Sequence, residues 1–286
     1  MVDFIYIGAP RAGSTWLAAA LSEHPQIWIP PTKDVHFFND RHILYFEEKY
    51  SKGVEYYKNI FAGAPSYAKL GELSPLYYFD PNTAYRIHKD FPDVKIIAFL
   101  RNPVDVIFSY YLLLQRIGRR EKTLRQELKK TPLLADLGFY HKHLISFFDW
   151  FPQEQIYIQI YNTFFKNETY EIRKIYKFLE VDDNFKPSVI GKKINETSKP
   201  GSAISVWFIE FVINFLNHAS VLGLKKLLCY LKFDRWYFQK LVNGPQDGNA
   251  PSVNSELGHE LISLYEYDIR RLEKMLNISL DVWFKY

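Results

Sequence analysis

Phe4-Ile5-Tyr6-Ile7 runs without a break into Gly8-Ala9-Pro10-Arg11-Ala12-Gly13-Ser14-Thr15-Trp16, and this stretch decides how the chain reads. Four consecutive apolar residues mark a short buried strand, a glycine-bearing turn follows, and residues 14–22 carry a helical period. A strand–turn–helix junction presents backbone N–H groups at the positive end of a helix dipole, where an anion binds readily. Gly8 and Gly13 have the spacing of a Walker A loop, yet Ser14-Thr15 follow with no lysine before them. The cation sits inside the loop instead, at Arg11. A P-loop kinase or nucleoside triphosphatase, the alternative enzyme class, would lack its key residue here.

Outward from this junction, β-like runs recur at 94–100 and 155–161, with helix-period segments at 103–116, 140–151 and 170–179. Strands alternating with helices predict an α/β fold: one domain over residues 1–286, with a central parallel sheet covered by helices on both faces. Residues 28–90 are rich in aromatics and turns without a regular period, so they read as loops that build a site beside the sheet. The apolar stretch 203–245 includes Trp207, Phe208, Phe211, Phe215, Trp236 and Phe238. It reads either as a lid, core or acceptor-side insertion, or as an amphipathic face (203–233) making weak contact with a membrane surface.

With 286 residues, 48% of them hydrophobic and 17% aromatic, the chain can bury a large core. A net charge of +4 is too mild for a nucleic-acid partner but suits an anionic ligand. One cysteine, Cys229, excludes a disulfide framework and a cysteine-based zinc site, and no metal is expected. Residues 1–3 lead straight into the first strand, leaving no room for a signal peptide, so the expected location is cytoplasmic. The Asn-x-Ser/Thr triplets at Asn167, Asn195 and Asn277 are then chance matches. The most span-like segment, 203–222, is broken by Glu210, Asn214, Asn217 and His218.

A second anion reader follows the run at 94–100: Arg101-Asn102-Pro103-Val104-Asp105-Val106-Ile107-Phe108-Ser109-Tyr110-Tyr111. Arg101 at the strand end offers a planar fork of donors, and Ser109, two turns into the helix, adds a hydroxyl on the same face. A nucleotide phosphorylated at both ends of its ribose needs two such sites. In order and context this pair resembles the 5′-phosphosulfate and 3′-phosphate loops of sulfotransferases that use 3′-phosphoadenosine-5′-phosphosulfate (PAPS). Lys33-Asp34-Val35-His36-Phe37-Phe38-Asn39 is similar to the Glu-Val-His-Phe-Phe-Asp stretch of heparan sulfate 3-O-sulfotransferases. Gly71-Glu72-Leu73-Ser74-Pro75-Leu76-Tyr77-Tyr78 is similar to their Glu-Lys-Ser/Thr-Pro-x-Tyr stretch. Similarity extends through 138–161 and the C-terminal Leu280-Asp281-x-Trp283, and skips 203–250.

The resemblance implies sulfuryl transfer from PAPS to an acceptor hydroxyl or amine, releasing adenosine 3′,5′-bisphosphate (3′,5′-ADP). It implies that Arg11, Ala12, Gly13, Ser14, Thr15 and Trp16 hold the 5′-phosphosulfate and that Arg101 and Ser109 hold the 3′-phosphate. Tyr161 would meet the adenine, and Lys199, Gly201 and Ser202 would form a late loop over the nucleotide. Arg11 stands where the family generally has lysine, which keeps the leaving-group charge but gives a poor general acid. Three groups compete as the base. Asp34 aligns with the family's glutamate, His36 has the better ordinary pKa, and Glu72 precedes the Ser-Pro turn. Leu73 replaces a lysine, so one cationic contact to a polyanionic acceptor is missing, which argues against heparan sulfate itself. The acceptor expected is a small molecule, glycan or lipid. A non-catalytic nucleotide-binding module is the remaining alternative, motivated by the departures at Arg11, Asp34 and Leu73.

Overall fold

The computed structural model describes residues 2–31, 34–40, 48–116, 121, 123–192, 253 and 255–285. In chain order the elements are β1 (Phe4–Gly8), α1 (Ser14–Glu23), β2 (Ile27–Trp28), α2 (Val54–Lys58), β3 (Lys69–Leu73), α3 (Thr83–Asp90), β4 (Lys95–Leu100), α4 (Pro103–Arg116), α5 (Leu124–Lys130), α6 (Pro132–Asp136), α7 (Tyr140–Trp150), β5 (Ile156–Ile160), α8 (Tyr161–Phe164), α9 (Glu168–Leu179) and α10 (Ser255–Leu276). The five strands form one all-parallel sheet in the order β2-β3-β1-β4-β5. β1 therefore sits at the centre, with β3 on one side and β4 on the other.

The α/β expectation holds. β1 is buried throughout and β4 at every residue but Lys95, as continuous apolar runs in a two-sided parallel sheet should be. α1, α8 and α9 form one helical group, joined by edge-on contacts of Trp16 with Phe164 and Phe165 and by a Tyr176 hydroxyl that donates to Ala20 O (3.4 Å). α3, α4, α7 and α10 form another. Asp268 of α10 caps α7 by accepting from the backbone N–H groups of His141 (2.9 Å) and Lys142 (3.0 Å).

The expectation that residues 28–90 are only loops is corrected. That region contains β3, which lies next to β1, as well as α2 and α3. β3 reads Lys-Leu-Gly-Glu-Leu, and its two charged residues break the apolar pattern that identifies a central strand. Tertiary partners restore it: Lys69 lies 3.7 Å from Asp3, and Glu72, 1% exposed, is surrounded by hydroxyl groups. Gly71 is required for a different reason. It faces Phe4 across the β1–β3 ladder, and a Cβ there would come within 1.9 Å of the Phe4 ring.

Gly71→Ala is expected to lower stability by roughly 1–3 kcal/mol, the usual cost of overpacking a filled interior. Urea denaturation checks this, and an unchanged midpoint would contradict the tight β1–β3 contact.

Candidate active site

Parallel strands deliver their carboxyl ends to one edge of the sheet, so the segments leaving β3, β1 and β4 lie side by side. The turn after β1 begins where Ala9 N–H donates to Phe99 O of β4 at 2.7 Å. It ends at Gly13, whose φ of 93° is left-handed and favours glycine, and whose carbonyl accepts the Leu17 N–H at 3.0 Å to start α1. The opening turn of a helix directs its N–H groups outward along the axis, so Gly13, Ser14 and Thr15, where the sequence reading expects an anion, stand at the head of α1, next to the buried Ala12. Trp16 contributes differently from the expectation. Its indole is 2% exposed and donates its N–H to Val189 O at 3.2 Å, so only its backbone can serve the turn.

The segment carrying Arg101 and Ser109 is joined directly to this turn. Arg11, at φ 60°, donates from Nε to the Ser109 hydroxyl at 3.0 Å. Arg101 donates from Nη1 to Arg11 O at 3.3 Å. The Arg101 guanidinium also lies over the Tyr161 ring, 4.8 Å from its centroid, a cation–π contact. Among the described residues Arg101 Nε is buried without a hydrogen-bond partner, and it forms a 3.6 Å ion pair with Asp105. A buried charged donor left over in a mostly satisfied interior fits an anionic ligand at this position.

The sequence reading did not single out the braces of this corner. Tyr140 donates its hydroxyl to Arg101 O at 2.8 Å. Asn102 accepts from Val104 N–H at 3.0 Å and donates to Trp283 O at 2.9 Å, tying the loop to the buried C-terminal turn. Both residues lie within the similar stretches, but a supporting role leaves no spacing signature of its own.

On the β3 side, Asp34, His36 and Glu72 are brought together. Asp34 N–H donates to Leu73 O at 3.1 Å, and His36 N–H donates to the Ser74 hydroxyl at 3.0 Å. Asp34 is exposed, whereas His36 is 8% exposed, with Nδ1 3.2 Å from Asn39 Oδ1. Both have left-handed backbones, φ 60° and 52°, unusual for residues other than glycine. Glu72 accepts the Tyr57 hydroxyl (2.7 Å), the Tyr77 hydroxyl (3.2 Å) and the Ser74 hydroxyl. Burial pushes its carboxyl up to about 7; the three hydroxyl donors oppose that rise, and the nearby Asp34 charge adds to it. Leu73 is 1% exposed, so its side chain is packed inside and meets no acceptor.

Lys199, Gly201 and Ser202, and the apolar stretch 203–245, lie outside the described residues. Among the described residues, no group of three or more His, Cys, Asp or Glu is arranged to hold a metal, and no helix is long and apolar enough to cross a membrane.

The family model described as "Sulfotransferase domain" matches residues 2–199, more than half of the chain. A membrane-associated sulfotransferase, kil1, of Dictyostelium discoideum is 34% identical over 112 residues, covering 38% of this chain and 22% of that protein. Heparan sulfate glucosamine 3-O-sulfotransferase 5 of Mus musculus is 25% identical over 189 residues, covering 62% of this chain and 53% of its own. The chain thus spans about half or less of the length of these curated relatives. The crystal structure of a sulfotransferase from Alicyclobacillus acidocaldarius superposes with a TM-score of 0.70 at 24% identity, covering 100% of this chain and 99% of that one, a likeness of fold.

Glu72 generates a pH dependence with a definite sign. A carboxyl whose folded pKa is raised from 4.5 to about 7 contributes stability that is complete below 4.5 and lost as pH rises through about 7. Thermal unfolding across that interval should show wild type losing stability relative to Glu72→Gln as pH increases. Parallel curves for the two proteins would show that the carboxyl titrates normally.

Proposed function

The chain belongs to the sulfotransferase family, and from that premise we propose that it transfers a sulfuryl group from PAPS to an acceptor hydroxyl or amine, releasing 3′,5′-ADP. The observation that carries this reading is the direct junction of the two cradles, Arg11 Nε to Ser109 and Arg101 to Arg11 O. A nucleoside with phosphate at both ribose ends suits such a junction, and the Arg101 fork, whose Nε has no hydrogen-bond partner among the described residues, fits its 3′-phosphate.

PAPS, when bound, supplies an activated sulfuryl group on a phosphate leaving group. The chain's own residues do the rest. Gly13, Ser14 and Thr15 at the head of α1 orient the 5′ end, and Arg101 and Ser109 orient the 3′ end, so the in-line geometry is set before reaction. Arg11, between the two, neutralises charge developing on the leaving oxygens and stays charged at any working pH. Tyr161 holds the Arg101 fork by a cation–π contact and offers a ring face beside the nucleotide. The acceptor proton goes to a group on the β3 side. Exposed Asp34 is best situated to reach a bulky acceptor, and His36 stands two residues on. Glu72 is enclosed by hydroxyl donors and is a poor candidate for direct contact.

The acceptor class is proposed as a small-molecule, glycan or lipid hydroxyl. One relative is named as a heparan sulfate glucosamine 3-O-sulfotransferase, which favours a hydroxylated sugar. The interior position of Leu73 removes a cation that a polyanionic chain would use. A cytoplasmic location and a membrane contact through 203–233 remain parts of the proposal.

Transfer of labelled sulfate from PAPS across sugars, phenols, lipids and alcohols tests the reading directly. Arg101→Ala should weaken 3′,5′-ADP binding by about 2 kcal/mol, the range for a lost charged hydrogen bond, as read by calorimetry. Unchanged affinity would remove the 3′ site from this corner. Asp34→Asn should lower turnover far more than nucleotide affinity, and full activity in that variant would move the base to His36.

A further inference from the structure

We propose that Glu72 is a positioning residue that fixes the backbone of residues 36–38, and with it Asp34 and His36, through the hydroxyls of Ser74 and Tyr77. The proposal rests on the reading of Asp34 and His36 as the acceptor-activating groups.

A hydroxyl has one proton to give. Ser74 and Tyr77 both give theirs to the Glu72 carboxylate. Their remaining capacity is acceptor only, directed at backbone N–H groups of the neighbouring segment. Ser74 Oγ accepts from His36 at 3.0 Å, and the Tyr77 hydroxyl accepts from Phe37 at 2.8 Å and Phe38 at 3.4 Å. Tyr77 is held protonated because burial, then the Glu72 charge, pushes its pKa well above 10. Three consecutive amides thus depend on which way two hydroxyls point, and one carboxylate sets both.

The segment needs such a device. Left-handed backbone at Asp34 and His36 is strained for residues other than glycine and persists only where the surroundings over-determine it. Other anchors hold the flanks: Lys49 Nζ donates to Val35 O at 3.0 Å, and Arg86 forms a two-pronged bridge to Asp40, 2.8 Å on each arm, while donating to Phe38 O at 3.0 Å. Between them the Glu72 relay grips the N–H groups of 36–38. Tyr57 provides an internal control. Its hydroxyl also donates to Glu72 (2.7 Å), but no hydrogen bond links it to the segment, and its ring packs on Phe37 and Phe38 whether or not the hydroxyl is present.

The test is residue-resolved amide hydrogen exchange by NMR on Glu72→Gln, Ser74→Ala, Tyr77→Phe and Tyr57→Phe, with calorimetry of 3′,5′-ADP on each. Glutamine presents donors as well as an acceptor and cannot hold both hydroxyls in the donating direction. Exchange at His36 should quicken about tenfold in Ser74→Ala, and at Phe37 in Tyr77→Phe, the factor for one lost buried hydrogen bond. Both should quicken in Glu72→Gln, while Tyr57→Phe leaves them unchanged and Ser74→Thr, which keeps the hydroxyl, restores His36 protection. Amides of β1 and α4 and the nucleotide affinity should stay at wild-type values. Wild-type exchange at 36–38 in Ser74→Ala and Tyr77→Phe would overturn the relay, as would equal quickening in Tyr57→Phe. Failure of wild type to bind 3′,5′-ADP would instead overturn the sulfotransferase reading and leave the amide result standing.

Discussion

Parallel pairing of β1 between β3 and β4 is the constraint from which the site follows. Parallel strands end on the same edge, so their exits must be neighbours, and the order β3-β1-β4 places the glycine turn between two other loops. On the β4 side that turn meets Arg101 and Ser109; on the other side, the exit of β3 holds the segment carrying Asp34 and His36 through Leu73 O and the Ser74 hydroxyl. The exits of neighbouring strands are thereby separated by a single strand width, about 5 Å on each side. Gly71 and Phe4 keep β1 and β3 that close.

Substitution of arginine for the family's lysine has a structural consequence. Lysine is a point charge on a flexible stem, whereas arginine can serve two partners from a rigid fork. Arg11 uses Nε for Ser109 and its carbonyl for Arg101, so the first phosphate loop is tied to the second by both side chain and backbone.

Much of this was legible in the sequence because local chemistry demands it. The strand–glycine–helix junction and Arg101 with Ser109 are short, contiguous signals, and their facing arrangement follows from the fold they predict. β3 was not legible, because Lys69 and Glu72 interrupt an apolar run whose polar members find partners only in the folded chain. At Glu72 the sequence shows an acid before Ser-Pro, not the three hydroxyls that enclose it. At Trp16 it shows a residue of the turn, not an indole packed on Phe164 and bonded to Val189 O. Tyr140, Asn102 and Trp283 act by bracing other residues, a role that carries no motif.

The claim at the centre is that two joined anion sites grip the two ends of one nucleoside. Calorimetric comparison of 3′,5′-ADP with 5′-AMP and with adenosine 3′-phosphate tests it most directly. The account predicts that the bis-phosphate binds roughly 10-fold to 100-fold more tightly than either mono-phosphate, since each loses one set of charged hydrogen bonds. Equal affinity for 3′,5′-ADP and 5′-AMP would contradict it, because the Arg101–Ser109 corner would then hold no phosphate.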